Sequence, residues 1–454
     1  MDQKEPTYDE LKELVLILVR KVEILTLRVS ELETELAIYK NPKNSGNSSI
    51  PPSQDQNRPR KNQSLREKSG KKSGGQSGHK GNSLSMVEVP NQIIVHKIDT
   101  CTCCGADISS IIPILAEKRQ VVEIPPLEPI YIQHEVYSRV CGCGKVCRGI
   151  FPAEVTAPVQ YGQSVQNFVS YLSVRHYIPF KRITEIMGQA FGIPLSEGTV
   201  ANLLQKAADK LYPTYMQIKS MVEKSPVIGA DESGIIIDGK LAWVWTWQDL
   251  GNTYIAASDN RGFDTVGTLF PNGFPDSILV SDAWPAHLNT NAKGHQLCLA
   301  HMLRELNYFI ELYPFNQWLE NLRNLFLQAI GLKKEMTEKD YANNPARDKI
   351  LKSFDKLLKH SPPKKSKFYA FYKRIRKHKE SVFSFLFNQY VPPDNNGSER
   401  SIRNIKIKQK VSGQFKTFDG AHAFTVIRSV IDTLIPRGFT VLNSLENIPK
   451  LVPE

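Results

Sequence analysis

Two apolar runs in this chain of 454 residues end in an acid: Val227-Ile228-Gly229-Ala230-Asp231 and Ile278-Leu279-Val280-Ser281-Asp282. Both read as buried strands. A carboxylate is expensive to bury without a partner, so a strand-end aspartate either caps a turn or binds something. On neighbouring central strands the two acids would reach the same edge of a sheet, and as a pair they point to a metal site. A third acid, Glu399, follows Pro392-Pro393 in a segment whose helix should start at Asp394 or Asn395. Glu399, Arg403, Lys406 and Lys410 recur at spacings of three and four, while Ile402 and Ile405 face inward. An acid to hold a cation, beside bases to hold phosphates, is what a phosphodiester site requires. The competing account of this helix is a solvated, salt-bridged surface. Three carboxylates can hold two hard cations such as Mg²⁺ or Mn²⁺. Two ions about 3.5–4 Å apart can activate a water or a 3′-hydroxyl and stabilise a leaving oxygen. Histidine ligands would have pointed to zinc. Glu232 alternates to the other side of the strand from Asp231 and is read as structural.

Six of the seven cysteines fall into two tight groups, and only Cys298 stands apart. Cys101 and Cys104 make a C-x-x-C knuckle, and Cys141 with Cys143 makes a tighter C-x-C pair. These four thiolates suit a tetrahedral structural Zn²⁺, with Cys103 and Cys147 as possible substitutes and free structural cysteines as the alternative. Such an ion would fold a small DNA-contacting module and take no part in catalysis. Near Cys298, His301 and Arg304 lie one turn apart on a helix and could reach a scissile phosphate; a structural histidine is the alternative. Trp243, Trp245 and Trp247 share one strand face, which reads as core packing, and Trp284 follows Asp282 closely enough to line a site rim.

Positioning these residues takes several elements. Leu11, Leu18, Leu25 and Leu32 recur every seven residues, and Val15, Val22, Val29 and Leu36 form a second series offset by four. That pattern predicts a parallel two-stranded coiled coil over 7–40 and hence a homodimer. Residues 41–83 carry nine basic and two acidic residues among Ser, Gly, Pro, Asn and Gln, which predicts a disordered basic tether able to contact phosphates. Residues 84–155 hold β-like runs, Ile93–Val95 and Tyr131–Val136, around the cysteines. Residues 156–224 read as a helical DNA-binding region, with helices near 164–175 and 180–191, a turn at Gly192, and a third helix capped by Ser196; a helix-turn-helix and an ordinary hairpin both fit. Strands dominate from 225 and helices from about 301 to 390, and a last helix lies near 420–435. That is a mixed α/β domain over 225–435 with a helical insertion, followed by a tail, 436–454. The formal net charge of +12 suggests a polyanionic partner, most simply nucleic acid. No apolar run approaches a membrane span, and we expect a reducing cytoplasm.

Taken in order, these residues resemble the IS66 family of bacterial insertion-sequence transposases. The resemblance covers the leucine repeat, Asn44–Ser53, Gly74–Gly81, the cysteine module, Ala230–Gly234, Cys298–Leu306, and most specifically Asp394–Arg403 with Lys408–Phe415. It implies an RNase H-like catalytic core whose DDE triad maps onto Asp231, Asp282 and Glu399. It also implies binding of double-stranded DNA at terminal inverted repeats and in target DNA, and a dimer or higher synaptic complex, with helper proteins of the same element as further partners. Arg304, Arg400, Arg403, Lys406, Lys410 and His301 become the expected DNA contacts. The bacterial setting makes the cytoplasm, at the nucleoid, the expected place of action. Two departures are visible: the second cysteine pair is C-x-C, and Ser281-Asp282-Ala283-Trp284 lacks the nearby tyrosine common in relatives. A non-catalytic DNA-binding regulator and a structure-selective nuclease are the alternatives.

Overall fold

A computed structural model describes residues 7–44, 47–48, 55–57, 78 and 84–446. Most of the basic tether expected over 41–83, and residues 447–454 of the tail, lie outside the described residues. The chain divides into two units, Asn62–Ile130 and the remainder. In Asn62–Ile130, Val87 and Gln120 exchange two hydrogen bonds of 2.8 Å, and one antiparallel bridge joins Thr100 to Asp107. The β-like runs Ile93–Val95 and Tyr131–Val136 are irregular and largely exposed, contrary to the expectation of strands. Alternating apolar residues form a strand only where a ladder partner and a face to bury exist.

The larger unit opens with α1 (Tyr8–Lys40), on which both heptad series stay exposed. Its end docks on the unit: Ala37 and Ile38 pack against an apolar core, and Asn47 Nδ2 donates to Glu311 Oε2 at 2.8 Å. A small hairpin, β1 (Ser138–Val140) and β2 (Val146–Arg148), brackets Cys141 and Cys143. Helices α2 (Gln163–Ser170), α3 (Phe180–Phe191) and α4 (Glu197–Glu223) follow. Gly192 ends α3 at φ 63°, a left-handed cap that suits glycine. Ser196 Oγ accepts the Thr199 N–H at 3.0 Å and caps α4.

The central sheet runs β5-β4-β3-β6-β7. β3 (Val227–Ile237), β4 (Lys240–Gln248) and β5 (Thr253–Ser258) form an antiparallel meander, while β6 (Phe274–Ser281) and β7 (Ala292–Leu297) run parallel beside β3. Asp238 and Gly239, at φ 49° and 72°, close the β3–β4 hairpin, the two-residue turn that matches strand twist. The run 227–231 does not end its strand at Asp231, because β4 pairs with β3 without interruption from Gly229 to Ile237. Trp245 and Trp247 are fully buried on one face and stack with ring centroids 5.7 Å apart. Each such side chain contributes about 3 kcal/mol through burial. Short helices α5 (Phe263–Leu269) and α6 (Pro285–Leu288) flank β6 in the chain.

After β7 the chain leaves the sheet for α7 (Leu299–Leu312), α8 (Gln317–Glu335), α9 (Pro345–Lys359) and α10 (Tyr369–Lys377). These helices bury a second apolar core that includes Phe326, Phe354, Phe371 and Phe385. The chain then returns as α11 (Asn396–Ser412), which lies along β3 and β4. α12 (Phe418–Leu434) packs on α4 and β5, and α13 (Val441–Glu446) ends the described chain.

Candidate active site

The site forms where the parallel half of the sheet ends. Parallel pairing of β3 with β6 stops at Gly229 and Val280, so Asp231 lies just past it, within β3, and Asp282 is the first residue after β6. Crevices at the carboxyl ends of parallel strands are where α/β sheets place ligands. Asp231 Oδ1 accepts the Glu232 N–H at 3.0 Å, and Asp282 Oδ1 accepts the Trp284 N–H at 2.9 Å. Glu399, in the first turn of α11, is brought in from 117 positions further on than Asp282.

Asn395 fixes that approach. Its buried amide donates from Nδ2 to the Ala230 carbonyl at 2.6 Å and accepts from Ser398 Oγ at 2.8 Å, while its backbone N–H donates to Cys298 Sγ at 3.3 Å. One residue therefore ties the start of α11 to β3 beside Asp231 and to the start of α7. Close approach also depends on Gly229, where a Cβ would lie 2.7 Å from Ser398 Oγ and 2.8 Å from Asn395 Oδ1.

The electrostatics follow from crowding. Burial pushes the Asp231 carboxyl well above the ordinary aspartate value, and the charges of Glu232, Asp282 and Glu399 push it further. Glu232 behaves oppositely. Burial alone would raise it, but His287 Nε2, at 2.7 Å from Oε2, and Arg261, whose Nη2 donates to Oε1 at 2.7 Å, hold it below its usual value. Arg261 lies 3.7 Å from the Trp284 ring centroid and 4.6 Å from that of Trp243. Glu399 Oε1 accepts from Arg304 Nη2 at 3.1 Å and lies 3.7 Å from His301 Nδ1. His301 Nδ1 is buried and makes no hydrogen bond, and burial, reinforced by Arg304, lowers the His301 pKa. Burial raises the Cys298 thiol to about 12.

Among the described residues, two sets of three side chains converge with ligand atoms within 4.8 Å of one another: Glu232, Asp282 and His287, and Cys298, His301 and Glu399. The three acids singled out from sequence do not form such a set by themselves. Asp282 and Glu399 belong to different ones, and the Asp231 carboxyl feels acids from both. The phosphate-contacting candidates separate as well. Arg400, Arg403 and Lys410 are exposed, Arg304 and His301 face Glu399, and Lys406 Nζ is turned inward to the Gly234 carbonyl. Arg261 and His287 carry no signal in the sequence, Asn395 shows there only as a helix start, and Cys298 stands apart from the other cysteines. His287, five residues past Asp282, carries no local signal, because its partner is fixed only by the strand pairing.

A family model described as Transposase IS66 family matches residues 158–423, which include all three acids and Asn395. The chain belongs to the IS66 transposase family. Membership makes DNA the partner and DNA transposition, with use of a divalent metal, the general activity of this IS66 protein. A second model, a family of unknown function (DUF6444), matches residues 2–85, spanning α1 and the tether. No curated protein matches the chain. Among the described residues, no helix is long and apolar enough to cross a membrane.

Proposed function

We propose that this IS66 protein is a DDE transposase with an RNase H-like core that cuts at the terminal inverted repeats of its element and joins the freed 3′-hydroxyls to target DNA. The observation that carries the reading is the placement of Asp231 in β3, Asp282 just after the neighbouring β6 and Glu399 on the returning α11, near enough that both acids add to burial and Glu232 in raising the Asp231 carboxyl. The order of the sheet, an antiparallel meander flanked by two parallel strands, fits such a core. Asp231, Asp282 and Glu399 would offer carboxylate oxygens to hard cations, Mg²⁺ or Mn²⁺, which would also relieve the repulsion among the acids. When bound, such ions activate the attacking water or hydroxyl and stabilise the leaving oxygen.

The remaining work falls to the chain itself. Asn395 and the backbone N–H groups of Glu232 and Trp284 orient the carboxylates. Arg304, released from Glu399, is placed to neutralise a phosphate, and Arg400, Arg403 and Lys410 present charge along exposed α11. The same reading gives α1 as the dimerising coil, residues 156–224 as a DNA-reading helical region, and each cysteine pair, Cys101 with Cys104 and Cys141 with Cys143, as a zinc-binding knuckle. Locally, the turn after Cys101 and the turn after Cys141 each have a left-handed glycine, Gly105 and Gly144, and backbone N–H groups lower both thiols, as a metal knuckle requires.

One observation favours a second reading, a DNA-binding regulator without catalysis: Glu399 is already ion-paired with Arg304 at 3.1 Å. Strand cleavage of an element end with Mg²⁺ separates the two. Cleavage by the wild type and loss with Asp282→Ala are expected. Full activity of Asp282→Ala would remove the assignment, and binding of ends without cleavage under any divalent ion would support the regulator.

A further inference from the structure

The positive charge of the chain is concentrated where none of the phosphate contacts above lies. Residues 345–379, spanning α9 and α10, hold thirteen Lys and Arg against two acids, Asp348 and Asp355, a net +11 in a chain whose total is +12. This is an ordered surface. Ile350, Phe354 and Leu358 of α9 and Phe371, Tyr372 and Ile375 of α10 are buried in the helical core. Lys349, Lys352 and Lys356 project from the exposed ridge of α9, and Lys373, Arg376 and Lys377 are exposed on α10. The first three line one shallow groove with Pro345, Asp348 and Ser353. Like charges held together on a folded surface repel one another, and a polyanion relieves that repulsion without an ordering cost.

Ion pairs link this surface to the helix beside the carboxylate site. Arg304 contacts Glu399, and the next residue, Glu305, pairs with Arg374 of α10. Beyond the end of α10, Lys379 Nζ reaches Asp355 of α9 at 3.4 Å. These pairs tie α10 to α7 and the segment after α10 to α9. The apolar faces of both helices are spent inside the core, which disfavours a bilayer as the partner, since surface-lying membrane helices need an apolar face to insert.

We infer that α9 and α10 form a second DNA-binding surface, one that grips the phosphate backbone of the duplex leading to the carboxylate site without reading its sequence. The inference rests on the proposed action on DNA. Each phosphate neutralised contributes about 0.9 to the slope of log affinity against log salt. The test is the salt dependence of binding to a mixed-sequence DNA duplex, measured by fluorescence anisotropy on the full chain. The combined variant Lys349→Gln, Lys352→Gln and Lys356→Gln keeps helix propensity and touches no site residue. We expect its slope to flatten by about 2 or more and its affinity to fall about tenfold or more at about 0.1 M salt, equally for any sequence. A control with the same charge loss on α1, Lys12→Gln, Lys21→Gln and Lys40→Gln, should leave the slope near the wild-type value. If the wild type binds duplex DNA and the α9 variant keeps its slope, this surface is refuted while the action on DNA stands. Loss only on element-end sequence, or loss only of binding to phosphatidylserine vesicles, would equally overturn it. A wild type that binds no DNA at any salt refutes the proposed function itself.

Discussion

Asn395→Ala tests how the site is assembled, because Asn395 bonds the start of α11 to β3 beside Asp231. Truncation removes the donor to the Ala230 carbonyl, at 2.6 Å, and the acceptor for Ser398 Oγ, at 2.8 Å, while Asn395 and Ser398 are both buried. A buried polar group left without a partner costs about 1–3 kcal/mol. The Ser398 hydroxyl is a rotor that can turn to another acceptor, whereas the Ala230 carbonyl is fixed in the strand, so we expect a total of about 2–4 kcal/mol. Ser398→Ala removes one partner and leaves the bond to Ala230 intact, and should cost about 1 kcal/mol. Urea denaturation reads both values, with an unchanged m-value as the check that only stability moved. Catalysis should suffer separately. Loss of the tie lets Glu399 drift relative to Asp231, and a displacement of about 1 Å can cost about a hundredfold in rate. Strand cleavage at saturating DNA and Mg²⁺, under conditions where the variant stays folded, measures that loss. An Asn395→Ala protein within about 0.5 kcal/mol of wild type that cleaves at the wild-type rate would refute the reasoning, since the bonds would then carry neither stability nor geometry.

Asp231→Asn should raise the metal-free Tm at neutral pH. The folded-state pKa lies above the unfolded value of about 3.9, so the contribution of Asp231 to stability is fully present below that value and is lost as pH rises through the folded pKa. The asparagine variant lacks that slope, its advantage should vanish near pH 3, and Mg²⁺ should stabilise the wild type more than the variant; Tm against pH, with and without metal, checks all three. Gly229→Ala should destabilise by about 1–3 kcal/mol, because its Cβ would press on the hydrogen-bonded Asn395 and Ser398. Gly331→Ala, in α8 with open space around it, should stabilise by about 0.5–1 kcal/mol, and thermal melts of the pair give the contrast. Leu18→Lys with Leu25→Lys should convert a dimer to a monomer in sedimentation, because two charges would then face each other in the seam of the coil.

Much of the candidate site was legible because its signals are local. An apolar run ending in an acid needs no tertiary information to be noticed, and neither does a glutamate on a Lys/Arg-rich helix or a leucine every seven residues. The Ser196 cap and the Asp238-Gly239 turn are likewise contained in a few neighbouring residues. What remained illegible depends on pairing between distant segments. Asp231 looked like a strand end because the run before it is apolar, yet the β4 ladder carries the strand on to Ile237. Tyr131–Val136 alternates like a strand and forms none, since nothing in its own residues reveals whether a partner strand exists.

The sequence by itself therefore determined the chemistry on offer: three acids, basic side chains to accompany one of them, two cysteine pairs, and a helix with a heptad repeat. Only the tertiary structure decided which groups meet. The crossing of α11 over β3 brings Asn395 to Ala230, and the return of α7 beside it turns an isolated Cys298 and His301 into neighbours of Glu399. The same folding turns the Lys and Arg of α9 and α10, scattered through 345–379, outward, with Arg374 of α10 paired to Glu305 of α7. The physical reason is common to all three. A side chain's type is written locally, but its distance to a partner a hundred residues away is set by strand pairing and core packing, which no short window of sequence contains.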